Sequence, residues 1–386
     1  MSLQGGFGGF GGFGGFGGFG GFGGFGGFGG FGGVGGFAGG GGFGPTPGYG
    51  NDALIQNRDG IVGAWQDPTS FPAQLNDETV NATAYLGRWE PWVRAALIDF
   101  SLFSRLYFAR DGNGFTLYDV DLNTTASPVT ASMHRVVKMV RPTPASAFWV
   151  NQLRLVASWA DLRADRCGEI LSQLTPPMVY WSSIANLHPE RHKWTLELLW
   201  AALRLANHAE MRFKNALACR RPVEMSPQVQ PMLLTPGHGS LPSGHSTEAS
   251  IVAYVLWRLV KAADATKDTS WFEQLLRQAA RIAINRTIAG LHFPVDSAAG
   301  QLLGLTLGEY FVHRADIAGN ATYTSWLFDG AIYPQAFDFD WRQLFDSAYN
   351  RRNAPKGYAS SISATEKSSK SDPLDWLWRQ ALGEWP

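Results

Sequence analysis

Apolar and polar positions alternate with a helical period along most of the chain between residue 89 and residue 313. Trp89–Phe108 is strongly apolar at helical spacing, interrupted by Arg94, Asp99 and Arg105. Phe148–Leu174 has a clear amphipathic period and is stopped by Pro176-Pro177. Trp194–Phe213, His245–Lys261, Trp271–Ile284 and Ser297–His313 repeat the same texture. Residues 51–84 read as loops and short pieces, and the Gly-, Asp- and Thr-rich stretch 111–130 as a loop or short hairpin. The pattern predicts an all-α, two-bundle-like domain over residues 51–350, with a polar site at the end of a helical bundle. No stretch reaches about 18 uncharged apolar residues, so no membrane-spanning helix is expected.

Both ends depart from this texture. Phe recurs at every third position from Phe7 to Phe31, with Val34 and Phe37 in the same register. Of the 46 glycines, 29 lie before residue 51, which marks residues 1–50 as a separate low-complexity arm. Such a chain has too little apolar surface per residue to offset glycine's entropy and reads as a flexible, sticky arm. Its period of three would also align every Phe on one edge of a polyproline II-like helix, an assembly element. At the other end, residues 351–371 read as a flexible linker. Residues 372–386 read as a Trp-rich docking peptide, with Asp372 capping a short helix and Pro373 at its first position.

Composition narrows the function classes. With 386 residues the chain can bury a substantial core. Lys plus Arg equal Asp plus Glu at 32 each, so net charge argues for neither nucleic acid nor an anionic membrane. Two cysteines, Cys167 and Cys219, are too few for a disulfide framework. With no signal-like segment at its start, the chain is expected in the cytoplasm.

Three short polar motifs carry the candidate chemistry. The first runs from Lys214 to Arg221-Pro222, two cations seven apart, which a single helix would project from one face. The second is Pro242-Ser243-Gly244-His245 at the head of an apolar run. Ser243 is a preferred helix cap, and Gly244 lets backbone approach a ligand at a dipole-positive helix start. The third is Arg286 to His292 with Asp296 following by four, a spacing that suits a carboxylate orienting an imidazole. Three cations, two imidazoles, a hydroxyl and a glycine amide together suit the holding of a tetrahedral or trigonal-bipyramidal oxyanion. His245 would exchange a proton beside it.

These motifs, in this order and spacing, resemble the superfamily of type 2 phosphatidic acid phosphatases, bacterial class A acid phosphatases and vanadium-dependent haloperoxidases. By helical texture the resemblance extends over Trp194–Val312, and one departure is Asn285 where phosphatase members usually carry serine before the arginine. The resemblance implies a cage formed by Lys214, Arg221, Ser243, Gly244 and Arg286, and it implies two chemistries. In a bacterial-type vanadium-dependent haloperoxidase, orthovanadate is the cofactor and His292 its axial ligand. His245 assists proton transfer, and the peroxovanadate oxidises a halide with hydrogen peroxide for a small organic acceptor. In a phosphatase, His292 attacks phosphorus and His245 protonates the leaving alcohol. His238, seven before His245, stands where bromide-oxidising haloperoxidases carry a histidine, which favours the haloperoxidase and bromide. A loop histidine in a Gly-rich turn is the plainer reading of it. The third class is an assembly protein or a halide-independent relative. A homo-oligomer, with assembly through the arm, and no nucleic-acid or membrane partner complete the expectation.

Overall fold

A computed structural model describes residues 48–70, 83–267, 269–315 and 322–385. The chain divides into two units at about residue 88. The first unit's described part holds helix α1 (Gly48–Ile61), whose Leu54, Ile55 and Ile61 are exposed. The expected arm of residues 1–50 lies outside the described residues except for its last three, which begin α1.

The larger unit begins with α2 (Pro91–Phe103) and continues into three strands, β1 (Leu106–Asp111), β2 (Gly114–Asn123) and β3 (Thr130–Val140). Helices α3 (Ser146–Trp159), α4 (Arg163–Ser172), α5 (Met178–Ala185), α6 (Lys193–Leu217) and the single turn α7 (Pro222–Met225) follow. Then come α8 (Gly244–Ala263), α9 (Thr269–Ile288) and α10 (Pro294–Arg314), strands β4 (Tyr323–Asp329) and β5 (Ala359–Glu366), and α11 (Asp372–Leu382).

The core is built on α8 and α10, which lie against each other along most of their length, with α6 and α9 against α8. Close approach there has a sequence cause. A Cβ on Gly300 would come within 2.5 Å of the Ser243 carbonyl, and one on Gly304 within 2.2 Å of the Thr247 carbonyl. Glycine at both positions lets the two backbones touch, which draws the N-terminus of α8 onto the first turns of α10.

The expectation of an all-α protein is wrong. Five strands form one mixed sheet in the order β1-β2-β3-β4-β5, with β3 and β4 parallel and the other pairs antiparallel. The predicted helix over Trp89–Phe108 stops at Phe103, and Leu106–Asp111 pairs instead with Gly114–Asn123. The stretch read as a linker holds β5, which pairs with β4. Its Ser- and Thr-rich composition suits an edge strand with one wet face, which resembles a linker when read alone. The long helix expected over Phe148–Leu174 is two helices joined by a 3-10 turn at Ala160–Leu162.

At the C-terminus, Ser371 rather than Asp372 occupies the cap position of α11. This helix lies on α6 of its own unit. Past its end, the Glu384 carboxylate accepts the Trp194 and Thr195 amides at 2.8 Å each, capping the start of α6. Among the described residues no helix is long and apolar enough to cross a membrane.

Candidate functional site

The three motifs come together where α6 ends and where α8 and α10 begin. Lys214 lies in the last turn of α6 and is 1 % exposed. Its Nζ donates to the Pro242 carbonyl at 2.5 Å, holding the loop that leads into Ser243. Lys214 and Arg221 do not share a helix face as the spacing predicted, because α6 ends at Leu217 and Ala218 adopts a left-handed conformation at φ 48°. Arg221 follows in extended backbone and reaches the site from the loop. Its Nη1 donates to the Leu291 carbonyl at 3.0 Å and lies 2.9 Å from His292 Nε2.

Ser243 caps α8 by position only. Its hydroxyl makes no capping bond, and Oγ is buried without a partner. Its amide donates to the Asp296 carbonyl at 2.9 Å. Gly244 leaves room for its neighbour, since a Cβ there would come within 2.6 Å of Glu210 Oε1 and displace that carboxylate. His245, on the first turn, donates Nε2–H to the Gln173 carbonyl at 2.8 Å, leaving Nδ1 as the nitrogen that can exchange a proton.

Arg286 lies in the last turn of α9, fully buried. Its Nη2 donates to the Ile170 carbonyl at 3.0 Å and to Gln173 Oε1 at 3.1 Å, while Nε and Nη1 are buried without acceptors. Gly290, at φ +82°, makes the turn that brings His292 back toward Arg221. His292 Nδ1 stands 3.2 Å from Asp296 Oδ2. That carboxylate oxygen also accepts the Ser240 hydroxyl and the Phe293 amide at 2.9 Å, so it caps α10 as well. His238 lies at the rim, its Nδ1 3.1 Å from Arg221 Nη2.

Electrostatics fit the geometry. Burial, reinforced by Arg286, holds the His245 imidazole well below its ordinary value, and burial with Arg221 does the same to His292. Both rings are therefore neutral at pH 7. With its Nδ1–H donating to Asp296, His292 carries its lone pair on Nε2. Burial pulls Lys214 down to about 8 and Arg221 and Arg286 to about 10. All three remain cations at neutral pH.

Several participants have no motif. Gln173, at the end of α4, holds Arg286 by its side chain and His245 by its carbonyl. Asn285, the departure from the family pattern, donates to Gln173 Oε1 and Glu169 Oε1 at 3.0 Å each, so it braces the same clamp. Glu210 and Glu248 are buried beside the cations; burial raises Glu210 to about 7 and lifts Glu248 well above the carboxylate range. The sequence signal for Glu210 is a carboxylate one helical turn before Lys214, on the same face of α6.

The arrangement can hold a small tetrahedral oxyanion. The orphaned Ser243 Oγ and the two orphaned Arg286 N–H groups are buried donors that such an anion would satisfy.

Residues 195–316 match the PAP2 superfamily. No curated relative matches the chain. Among solved structures, the chain is similar to "the first transmembrane PAP2 type phosphatidylglycerolphosphate phosphatase from Bacillus subtilis". The match has 20% identity over 42% of this chain and 73% of that one, at a TM-score of 0.27, too low to bear on the fold. The matched segment contains Lys214, Arg221, Ser243, Gly244, His245, Arg286, His292 and Asp296, and through it this chain carries a PAP2 superfamily domain.

Proposed function

We propose that the protein hydrolyses phosphate esters through a covalent phosphohistidine at His292. The observation that carries this reading is the neutral His292 ring, with its Nδ1–H donated to Asp296 and its Nε2 lone pair inside a set of buried cations. Phosphoryl oxygens would accept from Ser243 Oγ, Arg286 Nε and Nη1, Lys214 and the Gly244 amide, donors fixed before the substrate arrives. The hydrogen bond from Arg221 Nη1–H would shift from His292 Nε2 to a phosphoryl oxygen, releasing the lone pair. Nε2 then attacks phosphorus as the P–O bond to the leaving alcohol breaks. His245 supplies that alcohol's proton from Nδ1: the incoming dianion offsets Arg286 and the other cations that add to burial in depressing its basicity, so the ring takes a proton from solvent as substrate binds and passes it to the alcohol. In the second half, water attacks phosphorus, Nδ1 of His245 takes its proton, and His292 leaves as the neutral ring. Proton transfer of this kind contributes about 10²–10⁴-fold.

A second reading rests on His238. Orthovanadate is a tetrahedral oxyanion like phosphate, and the same orphaned donors fit it, with His292 as its ligand. Bound there, vanadate would supply Lewis-acid activation of hydrogen peroxide for oxidation of a halide, bromide first, in the service of a small organic acceptor. The His238–Arg221 contact of 3.1 Å would tune the charge on the cage in that chemistry.

The deciding experiment assays purified protein for aryl phosphate hydrolysis beside peroxide-dependent bromination with orthovanadate added. Hydrolysis without bromination is expected. Bromination without hydrolysis would replace the first reading with the second.

A further inference from the structure

A second cavity borders the C-terminal half of α8, the start of α9, strand β4 and the segment 349–353. Trp257 lies 13 residues past Gly244, which at 1.5 Å per residue puts it about 20 Å along the helix from the cage. The cavity measures about 780 Å³, room for a small organic molecule.

Its walls combine rings with positive charge. Trp257, Trp326 and Tyr349 supply aromatic surface, and Arg258, Lys261, Arg351 and Arg352 supply cations. Glu309 is the one carboxylate among the lining residues. It is already engaged, accepting the Thr324 amide at 2.9 Å and lying 3.6 Å from Arg351 Nη1. Lys261 Nζ sits 5.0 Å above the Trp257 ring and the Arg351 guanidinium 4.0 Å above Trp326. The cations are thus held on aromatic faces and largely unmatched by acid.

A second observation points the same way. Trp257 Nε1, Trp326 Nε1 and Arg351 Nε are buried N–H donors with no acceptor. Besides the Glu309 contact, Arg351's other nitrogens make long bonds to Thr306 Oγ1, at 3.3 and 3.4 Å. All three belong to residues that line the cavity, where an acceptor supplied from outside the chain, or ordered water, would satisfy them.

We propose that this cavity is a second binding site, for a small organic anion that joins a planar ring to a carboxylate or phosphate. The rings take its flat body, and Arg351, Arg258 and the indole N–H groups take its acidic oxygens. The site is independent of the chemistry at His292.

The test uses the full chain labelled with ¹⁵N at tryptophan, in saturating inorganic phosphate to occupy the cage. Naphthalene-2-carboxylate and its neutral carboxamide are the probes. AMP, as the phosphate-bearing alternative, is tested on His292→Ala protein. One anion is expected to bind with one equivalent by calorimetry and to shift the Trp257 and Trp326 indole signals, assigned with Trp257→Phe and Trp326→Phe. The carboxamide should bind at least tenfold more weakly. Arg351→Lys should weaken the anion tenfold or more. Because Arg351 is largely buried, the more exposed double variant Arg258→Gln/Lys261→Gln, expected to lose at least threefold, tests the charge without disturbing the core. Three results would each overturn the proposal: no shift or heat with either anion, equal binding of acid and amide, or unchanged affinity in both charge variants.

Discussion

His292 Nδ1 and Asp296 Oδ2 stand 3.2 Å apart across the first turn of α10, and the same Oδ2 accepts the Phe293 amide that starts the helix. Helix start and imidazole orientation are one structural unit. Asp296→Asn keeps the size and removes the charge, so turnover should fall by about 10–100-fold while phosphate affinity changes less. Steady-state kinetics and phosphate calorimetry on the same variant separate the two effects. Equal losses in turnover and affinity would mean that Asp296 serves the anion directly.

Arg221 and Arg286 are buried cations whose counter-charge is expected to come from the bound anion. Replacing either by alanine should weaken oxyanion binding by roughly 2–4 kcal/mol. Calorimetry with inorganic phosphate and with orthovanadate reads this directly. Wild-type affinity in both variants would remove the cage from the account.

Glu210 gives the site a pH dependence of definite sign. Burial raises its carboxyl to about 7, so it is mainly neutral below that pH and an anion beside Lys214 above it. Oxyanion binding should therefore weaken as pH rises through 7 beyond what the ligand's own ionisation explains. Glu210→Gln should bind phosphate roughly fivefold more tightly than wild type at pH 8.5 and about equally at pH 6. Comparing the two proteins in the same solution cancels the ligand's titration. A ratio that does not change with pH would show that Glu210 does not face the anion electrostatically.

His238 separates the two chemistries. Under the hydrolytic reading His238→Ala leaves ester turnover within about twofold, because Arg221 keeps its contacts to the Leu291 carbonyl and His292. A loss of bromination with retained vanadate affinity would instead favour the second reading.

The cage was legible because each of its groups stands in a short motif whose spacing is local: Ser243 and His245 share a helix start, and His292 and Asp296 share a turn. The sheet was not. Pairing of β3 with β4 joins Val137 to Trp326, and no local pattern records a partner that far along the chain. The Leu106–Asp111 strand continued the apolar texture of α2 so closely that the two read as one helix. Gln173 escaped notice for a different reason. Its contact with His245 is made by its backbone carbonyl, which any residue could supply, and its side chain meets Asn285 and Arg286, 112 and 113 residues away, beyond any local spacing. The geometry of Arg221 was missed because a left-handed Ala218, not a proline, ends α6.

In the proposed hydrolysis His292 Nε2 becomes phosphorylated in every turnover. Acid-labile, alkali-stable phosphate on residue 292, detected by mass spectrometry after alkaline quenching of a reaction with an aryl phosphate, measures it most directly. Label is expected on His292 in wild type, more of it in His245→Ala, where the second step lacks its base, and none in His292→Ala. Ester hydrolysis that persists in His292→Ala, with no labelled histidine in wild type, would contradict it.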